Sequence, residues 1–287
     1  MESTTFSAAH RFLVFTSAGD RAEVARWLRG RRNFDLWITY YGDEPGRFAD
    51  LTPLYEQRKG GKFPNLWHLY RQHPELLAQY DAVFVADDDV IIDGARISRL
   101  FEVLEARDLW VLQPAFSALG RLSHEITDRR AWTELRFTNF VEMTCPLFRQ
   151  DKLAEFMGQF DPELTGWGAD DWFMHSLGPE LEGRVAVVDA IVCKNPHHEV
   201  TKAGLREIDS LQPESERRRH WEAMAARLGI QPYREKLEYG SVRRPMPLGQ
   251  ALEVGVTRSI RWIVLTRTYE FFRPLVRAIR RAVSRRQ

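Results

Sequence analysis

Cysteine is nearly absent: Cys145 and Cys193 are the only two in 287 residues. They are too few and too far apart for a disulfide framework or a cysteine zinc site, so a reducing compartment is the default expectation. No uncharged apolar run approaches the ~20 residues of a membrane span, and Met1-Glu2-Ser3-Thr4-Thr5 lacks the basic start and apolar stretch of a secretory signal. These absences predict a cytoplasmic protein. Net charge is missing too, with 41 basic against 40 acidic residues, which excludes a nucleic-acid binder driven by overall charge. There is no internal repeat, and no low-complexity stretch precedes the arginine-rich end. What remains is ample for a core: 44% hydrophobic and 12% aromatic residues exclude a disordered chain and allow one large domain plus an appendage.

Hydrophobic periodicity predicts alternating strands and helices. Arg11 to Thr16 reads as a strand, Ser17 to Asp20 as a turn, Arg21 to Arg29 as a helix with Ala22, Ala25 and Leu28 inward, and Phe34 to Tyr41 as the next strand. That is a βαβ unit, the start of a doubly wound sheet. Further helices are expected after Asn65, over Ala95 to Ala106, and from Asp170 through Leu177. Further strands are expected over Leu109 to Pro114, Thr138 to Phe148 and Arg184 to Val192.

The most informative stretch is Ala82-Val83-Phe84-Val85-Ala86-Asp87-Asp88-Asp89, five apolar residues running into three carboxylates. A buried parallel strand looks like this when it delivers polar side chains at its C-terminal edge, where open α/β sheets bind ligands. Three adjacent carboxylates repel one another unless a cation compensates them, which points to a hard divalent metal. Alternation along an extended chain sends Asp87 and Asp89 to one side and Asp88 to the other. A solvated acidic turn is the plainer alternative.

Four other stretches carry candidate chemistry. Thr16 and Ser17 open a small polar loop suited to a nucleotide base or ribose, although many such loops only turn the chain. Lys59-Gly60-Gly61-Lys62 ahead of a helix offers amides and ammonium groups to a pyrophosphate, without the spacing of a Walker loop; a flexible charged loop is the alternative. Gly166-Trp167-Gly168-Ala169-Asp170-Asp171 presents an indole face beside two acids, the combination that holds a sugar, while a helix N-cap accounts for one acid without function. His197 and His198, after the last expected strand, suit a metal such as Mn²⁺ as well as Mg²⁺. Glu142 stands out inside an apolar run as either a paired structural acid or an acceptor contact.

With these motifs in place, the chain resembles glycosyltransferases of the GT-A fold. Gly166 to Asp171 looks much like the Gly-Trp-Gly-Gly-Glu-Asp signature of inverting galactosyltransferases. The order Gly-x-Lys-Phe-x-Asn-Leu-Trp, the aspartate run, Gln-Pro-Ala, His-x-Ile-Thr, Val-Glu-Met, Gly-Trp-Gly and Val-Val-Asp is similar to the domain of unknown function 707 family. The resemblance covers roughly residues 10 to 200 and implies an α/β, GT-A-like mixed and mostly parallel sheet flanked by helices. It implies Asp87 and Asp89 on Mn²⁺ or Mg²⁺, completed by His197 or His198, with Asp88 on the ribose or donor sugar. Asp171 would be the base, Asp170 an acceptor ligand, and Glu142 and Trp167 further acceptor contacts. Thr16, Ser17, Lys59 and Lys62 would line the nucleotide-diphosphate side. The partners implied are a nucleotide-diphosphate sugar and a saccharide or lipid-linked acceptor, as in surface polysaccharide or glycolipid assembly. The pattern departs at the middle acid of the aspartate run, where many relatives carry a neutral residue. The rivals are a metal-dependent phosphoester hydrolase or nucleotidyltransferase and a non-catalytic sugar-nucleotide-binding module.

The expected organisation is a catalytic domain over 1–205, a helical connector over 206–240 and a basic tail over 241–287. From Ser241 to Gln287 there are eleven arginines, no lysine and two acids, a charge of +9 that leaves about −8 on the rest. Leu248, Leu252, Val256, Ile260, Ile263 and Val264 mark one face of a helix in this tail, with Gly240 to Pro247 as a linker before it. A basic amphipathic helix of this kind suits the inner, anionic face of a membrane; packing on the body or on a second subunit are the alternatives.

Overall fold

The computed structural model describes residues 7–164, 166–196, 212–231 and 234–261. Its described strands form one mixed sheet: β1 (Phe12–Ala18), β2 (Phe34–Tyr40), β3 (Leu54–Gln57), β4 (Ala82–Val85), β5 (Val111–Phe116), β6 (Thr133–Thr138), β7 (Leu147–Arg149), β8 (Val185–Cys193) and β9 (Glu238–Arg243). The spatial order is β3-β2-β1-β4-β7-β5-β8-β6-β9. Strands β3, β2, β1 and β4 are mutually parallel, as the βαβ reading requires. Strand β7 then runs antiparallel between β4 and β5. The parallel pair β5–β8 is followed by antiparallel β6 and β9.

Alternation along the buried strands builds two cores. Leu13 and Phe15 of β1 and Val83 and Val85 of β4 face one cluster; Phe12 and Val14 with Ala82 and Phe84 face the other. The first is covered by α2 (Lys62–Gln72), α3 (Pro74–Leu77), α5 (Gln150–Gln159), α6 (Ala169–Ser176) and α7 (Glu214–Leu228) through Leu66, Leu69, Leu77, Phe156, Trp172 and Trp221. Phe156 meets Phe63, Phe160, Trp172 and Phe173 with ring centroids 5.5–5.9 Å apart, and each fully buried ring contributes roughly 1.5–3 kcal/mol. The second is covered by α4 (Gly94–Ala106), capped by Asp93, whose side chain accepts from the Arg96 amide at 2.8 Å.

Several expectations are corrected. The first helix shrinks to one turn, α1 (Val24–Trp27), and buries Val24 and Trp27; of the residues expected inward, Ala22 and Leu28 pack partly buried against the second core and Ala25 is exposed, while the Trp27 indole donates to the Val90 carbonyl at 2.8 Å. The expected strand over Thr138 to Phe148 is two strands, β6 and β7, around a buried loop at 139–146. Pro146 lacks an amide for the ladder, and the Asn139 side chain instead bonds the backbone at Glu235 and Leu237. The first four residues of the expected Gly240–Pro247 linker belong to β9, which pairs with β6, and 244–247 alone connects on to the next helix. The segment read as a connector supplies Trp221, Met224 and Ala225 to the first core.

Helical backbone resumes over 248–261, here α8. Ala251 and Val254 are buried against the body, Arg258 pairs with Asp128 at 2.8 Å, and Arg261 donates to the carbonyls of Ala118 and Gly120. Ile263 and Val264 of the expected apolar face lie outside the described residues.

Candidate active site

The aspartates follow β4 at the C-terminal edge of the parallel strands, as expected, but on a tight turn, not an extended chain: the Val90 amide donates to the Asp87 carbonyl at 3.2 Å. The turn separates the three acids. Asp88 points toward β1, where its Oδ2 accepts from the Gly19 amide at 2.7 Å and from the Tyr41 hydroxyl at 3.4 Å. Asp87 instead meets the Lys62 ammonium at 2.7 Å. Burial pushes Asp88 up to about 6 and Asp89 up to about 7, and the charge of Asp87 adds to both.

Lys62 is the internal cation of this site. Its side chain is 7% exposed, and besides Asp87 it donates to the carbonyls of Met143 at 2.5 Å, Thr144 at 3.0 Å and Val85 at 3.3 Å. Its ammonium is thus committed to the protein's own oxygens. Lys59, three residues earlier, stands at the surface and pairs with Asp43 at 2.7 Å. Thr16 and Ser17 are buried; Ser17 Oγ lies 2.7 Å from Thr39 Oγ1 and accepts from Asn65 Nδ2 at 3.0 Å. The glycine before α2 serves that packing. Gly60 has φ +142°, and a Cβ there would come within 2.5 Å of Asn65 Oδ1.

From Lys62 the polar line continues into the 139–146 loop. The Thr144 carbonyl accepts from the Asp87 amide at 2.7 Å as well as from Lys62, and Thr144 Oγ1 lies 3.4 Å from Glu142 Oε2. Glu142 is 3% exposed; Thr127 Oγ1 donates to its Oε1 at 2.7 Å, and Gln113 Oε1 accepts from its amide at 2.5 Å. Burial pushes Glu142 up to about 7, and the charge of Asp170 adds to the rise. Beside it, burial pushes His124 down to about 4, helped by the Lys236 ammonium, so His124 is neutral at physiological pH.

Asp170 and Asp171 open α6, where the helix N-terminus favours negative charge. Gly166 and Gly168 have φ values of +124° and +80°, and a Cβ on Gly168 would lie 2.2 Å from the Trp221 ring. The Gly-Trp-Gly loop therefore lets α7 dock where it does. The guanidinium of Arg218, also on α7, sits 5.5 Å from the centre of the Trp167 ring, so the indole is half-buried under an arginine. Asp170 is pushed up to about 6, first by burial and then by Asp171, while Lys236 opposes the rise. Asp171 lines a cavity of about 340 Å³ beside α6, with Asn139, Phe140, Met174, Ile230, Arg234 and Lys236 among its walls. That volume is at the lower end of the range for small-molecule sites.

The donor set suits a hard cation. Asp87, Asp88 and Asp89 are three adjacent carboxyl groups beside the Lys62 ammonium, and two of them hold protons well above the ordinary carboxylate range, the state a divalent ion would relieve. Among the described residues, the run does not bring three ligand atoms within 4.8 Å of one another; Asp161, Glu163 and His220 do so elsewhere. His197 and His198 lie outside the described residues. Gln113, His124 and Thr127 fall within the Gln-Pro-Ala and His-x-Ile-Thr motifs but carried no expected role, and Thr144 and Lys236 are ordinary polar residues whose place depends on loop packing.

Among solved structures, the chain is similar to S. aureus TarS 1–349 (12% identity, 65% of this chain and 60% of that one, TM-score 0.45) and to the same protein in complex with UDP (13%, 77% and 75%, TM-score 0.44). It is likewise similar to a mycobacterial protein (12%, 78% and 76%, TM-score 0.46). The chain thus spans less than two thirds of the first of these. No curated protein matches it. Residues 63–236, which include the aspartate run, Glu142 and the Gly-Trp-Gly loop and make up more than half of the sequence, match the family described as Protein of unknown function (DUF707), and the chain belongs to that family.

Proposed function

We propose that the protein is a metal-dependent glycosyltransferase that moves a sugar from a nucleotide-diphosphate donor to an acceptor hydroxyl with inversion. The observation that carries this reading is the line of half-buried and buried acids at the sheet edge. It runs from Asp88 and Asp89 through Lys62 and Glu142 to Asp170, every acid in it raised by burial, and beyond it Asp171 lines a cavity. A structural role explains one such acid, whereas four in a row cost stability unless a cationic ligand is bound.

In this reading Asp87 and Asp89 hold Mn²⁺ or Mg²⁺, with His197 or His198 as further ligands. The ion, when bound, supplies charge neutralisation to the departing diphosphate. Asp88, fixed by Gly19 and Tyr41 at the mouth of β1, takes the donor's ribose or sugar. Asp171 accepts the proton of the acceptor hydroxyl in the cavity. The acceptor oxygen forms its bond to the anomeric carbon as the bond from that carbon to the diphosphate oxygen breaks, and the diphosphate leaves with the electron pair. Glu142 and Asp170 hold the acceptor's other hydroxyls, and Trp167 flanks them. Thr16, Ser17, Lys59 and Lys62 shape the nucleotide-diphosphate side, Lys62 by holding Asp87.

The test is nucleoside-diphosphate release from a panel of nucleotide sugars with Mn²⁺ and saccharide acceptors. Asp171→Asn is expected to lower turnover by about 10²–10⁴-fold while sparing donor binding. Full turnover in Asp171→Asn, or diphosphate release indifferent to Asp89→Asn, counts against the assignment.

A further inference from the structure

We infer that α8 is a docking surface for an anionic lipid bilayer, and that it seats the molecule by the same sheet edge that carries the aspartates. Leu248, Leu252, Val256 and Ile260 recur every four residues along α8 and are 67%, 58%, 53% and 55% exposed. A surface helix ordinarily turns such a stripe to the body. Here the opposite face is fastened down, by buried Ala251 and Val254, by Arg258 on Asp128 and by Arg261 on the Ala118 and Gly120 carbonyls. The arginines of α8 bind the protein, and the leucines, valine and isoleucine face outward. Leu119, within the loop that Arg261 grips, is likewise 61% exposed.

Size and charge identify the occupant. The stripe spans about 18 Å on a helix roughly 10 Å wide, a strip of about 200 Å², well short of the ~800 Å² per partner of a stable protein interface. It is, however, the dimension of an apolar helix face lying in the headgroup layer. Residues 262–287, which follow directly in the sequence, contain seven arginines and one acid, with Trp262, Tyr269, Phe271 and Phe272. That composition complements anionic headgroups and their interfacial zone. Among the described residues no helix is long and apolar enough to cross a membrane.

The stripe is close to the acids through a short chain of contacts. Arg261 holds the 117–121 loop, whose Ser117 amide donates to the Cys193 carbonyl at 2.9 Å and whose Arg121 amide donates to Asn195 at 2.7 Å; Lys194, between them, bridges to Ile91, two residues after Asp89. A bilayer on α8 therefore lies beside the edge where a lipid-linked hydroxyl would be offered. The docking itself stands independently of the sugar-transfer reading.

Co-sedimentation of the full chain with vesicles of phosphatidylcholine alone and of phosphatidylcholine with 30% phosphatidylglycerol tests this. The expected result is binding that needs phosphatidylglycerol, falls at least tenfold in the double variant Leu252→Glu/Val256→Glu, and rises in Leu252→Trp, with unchanged melting temperature and unchanged Mn²⁺-dependent nucleotide binding in both variants. Undiminished vesicle binding by the double variant overturns the proposal, as does a concentration-dependent dimer that the double variant abolishes in the absence of vesicle binding.

Discussion

Replacing Glu142 with glutamine should stabilise the metal-free protein at pH 8 and leave it unchanged near pH 4.5. Glu142 is buried and is raised from 4.5 to about 7, chiefly by that burial. Because the folded-state value lies above the unfolded one, the native state keeps a proton that the unfolded chain has already lost across this window. Below about pH 4.5 both states hold the proton and the fold carries no penalty. As pH rises through 7 the stabilising effect of that proton is lost, by roughly 3 kcal/mol for a rise of some 2.5 pH units in a fully buried carboxyl. Glutamine is neutral throughout and its carbonyl still accepts from Thr127, so it escapes the loss. At about 2–4 °C per kcal/mol for a chain of this size, Glu142→Gln should melt several degrees above the parent at pH 8 and within about 1 °C of it at pH 4.5. Urea denaturation in EDTA at pH 4.5, 6, 7 and 8 reads the difference directly. A variant less stable than the parent by the same amount at every pH would show that Glu142 is a well-paired structural acid, and the strain ascribed to the acid line would be refuted.

Other perturbations follow from the same geometry. Lys62→Met removes the ammonium bonded to Asp87 and to the carbonyls of Val85, Met143 and Thr144; a loss of about 3–5 kcal/mol in denaturant melts is expected. Gly168→Ala sets a Cβ against Trp221 in a left-handed backbone conformation and should cost about 2–4 kcal/mol. Trp221 fluorescence would report the displacement of α7, and an unshifted spectrum at full stability would contradict the packing account. Asp189→Asn breaks the fully buried pair that Arg136 makes with Asp189 at 2.8 Å. Its expected cost is about 3 kcal/mol at neutral pH, measured by differential scanning calorimetry.

The legible parts of the sequence were those with strong local physics. The run from Ala82 into Asp87 read as a buried strand ending in acids because apolar burial and charge repulsion both act on neighbours in the chain. The Asp170–Leu177 helix and β8 were legible for the same reason. What stayed hidden depends on distant contacts. The Thr138–Phe148 stretch has strand composition, yet Glu142 is fixed by Gln113 and Thr127, side chains 29 and 15 residues away, and the segment follows those bonds instead of a ladder. Lys62 looked like a phosphate ligand beside two glycines, whereas the oxygens it binds lie as far off as Thr144. The second glycine of the Gly-Trp-Gly loop is required by Trp221, 53 residues further on. β9 is polar and exposed at the sheet margin, so its pattern carried no strand signal.

The central claim is that the acids around Asp87, Asp88 and Asp89 form a cation site for a nucleotide diphosphate. Thermal-shift titration of nucleoside diphosphates with and without Mn²⁺ tests it most directly, in the parent and in Asp89→Asn. The account predicts that at least one diphosphate stabilises the parent only when Mn²⁺ is present, by several degrees at 100 times its Kd, and that Asp89→Asn abolishes the shift. Equal melting temperatures with and without Mn²⁺ for every nucleotide would contradict it.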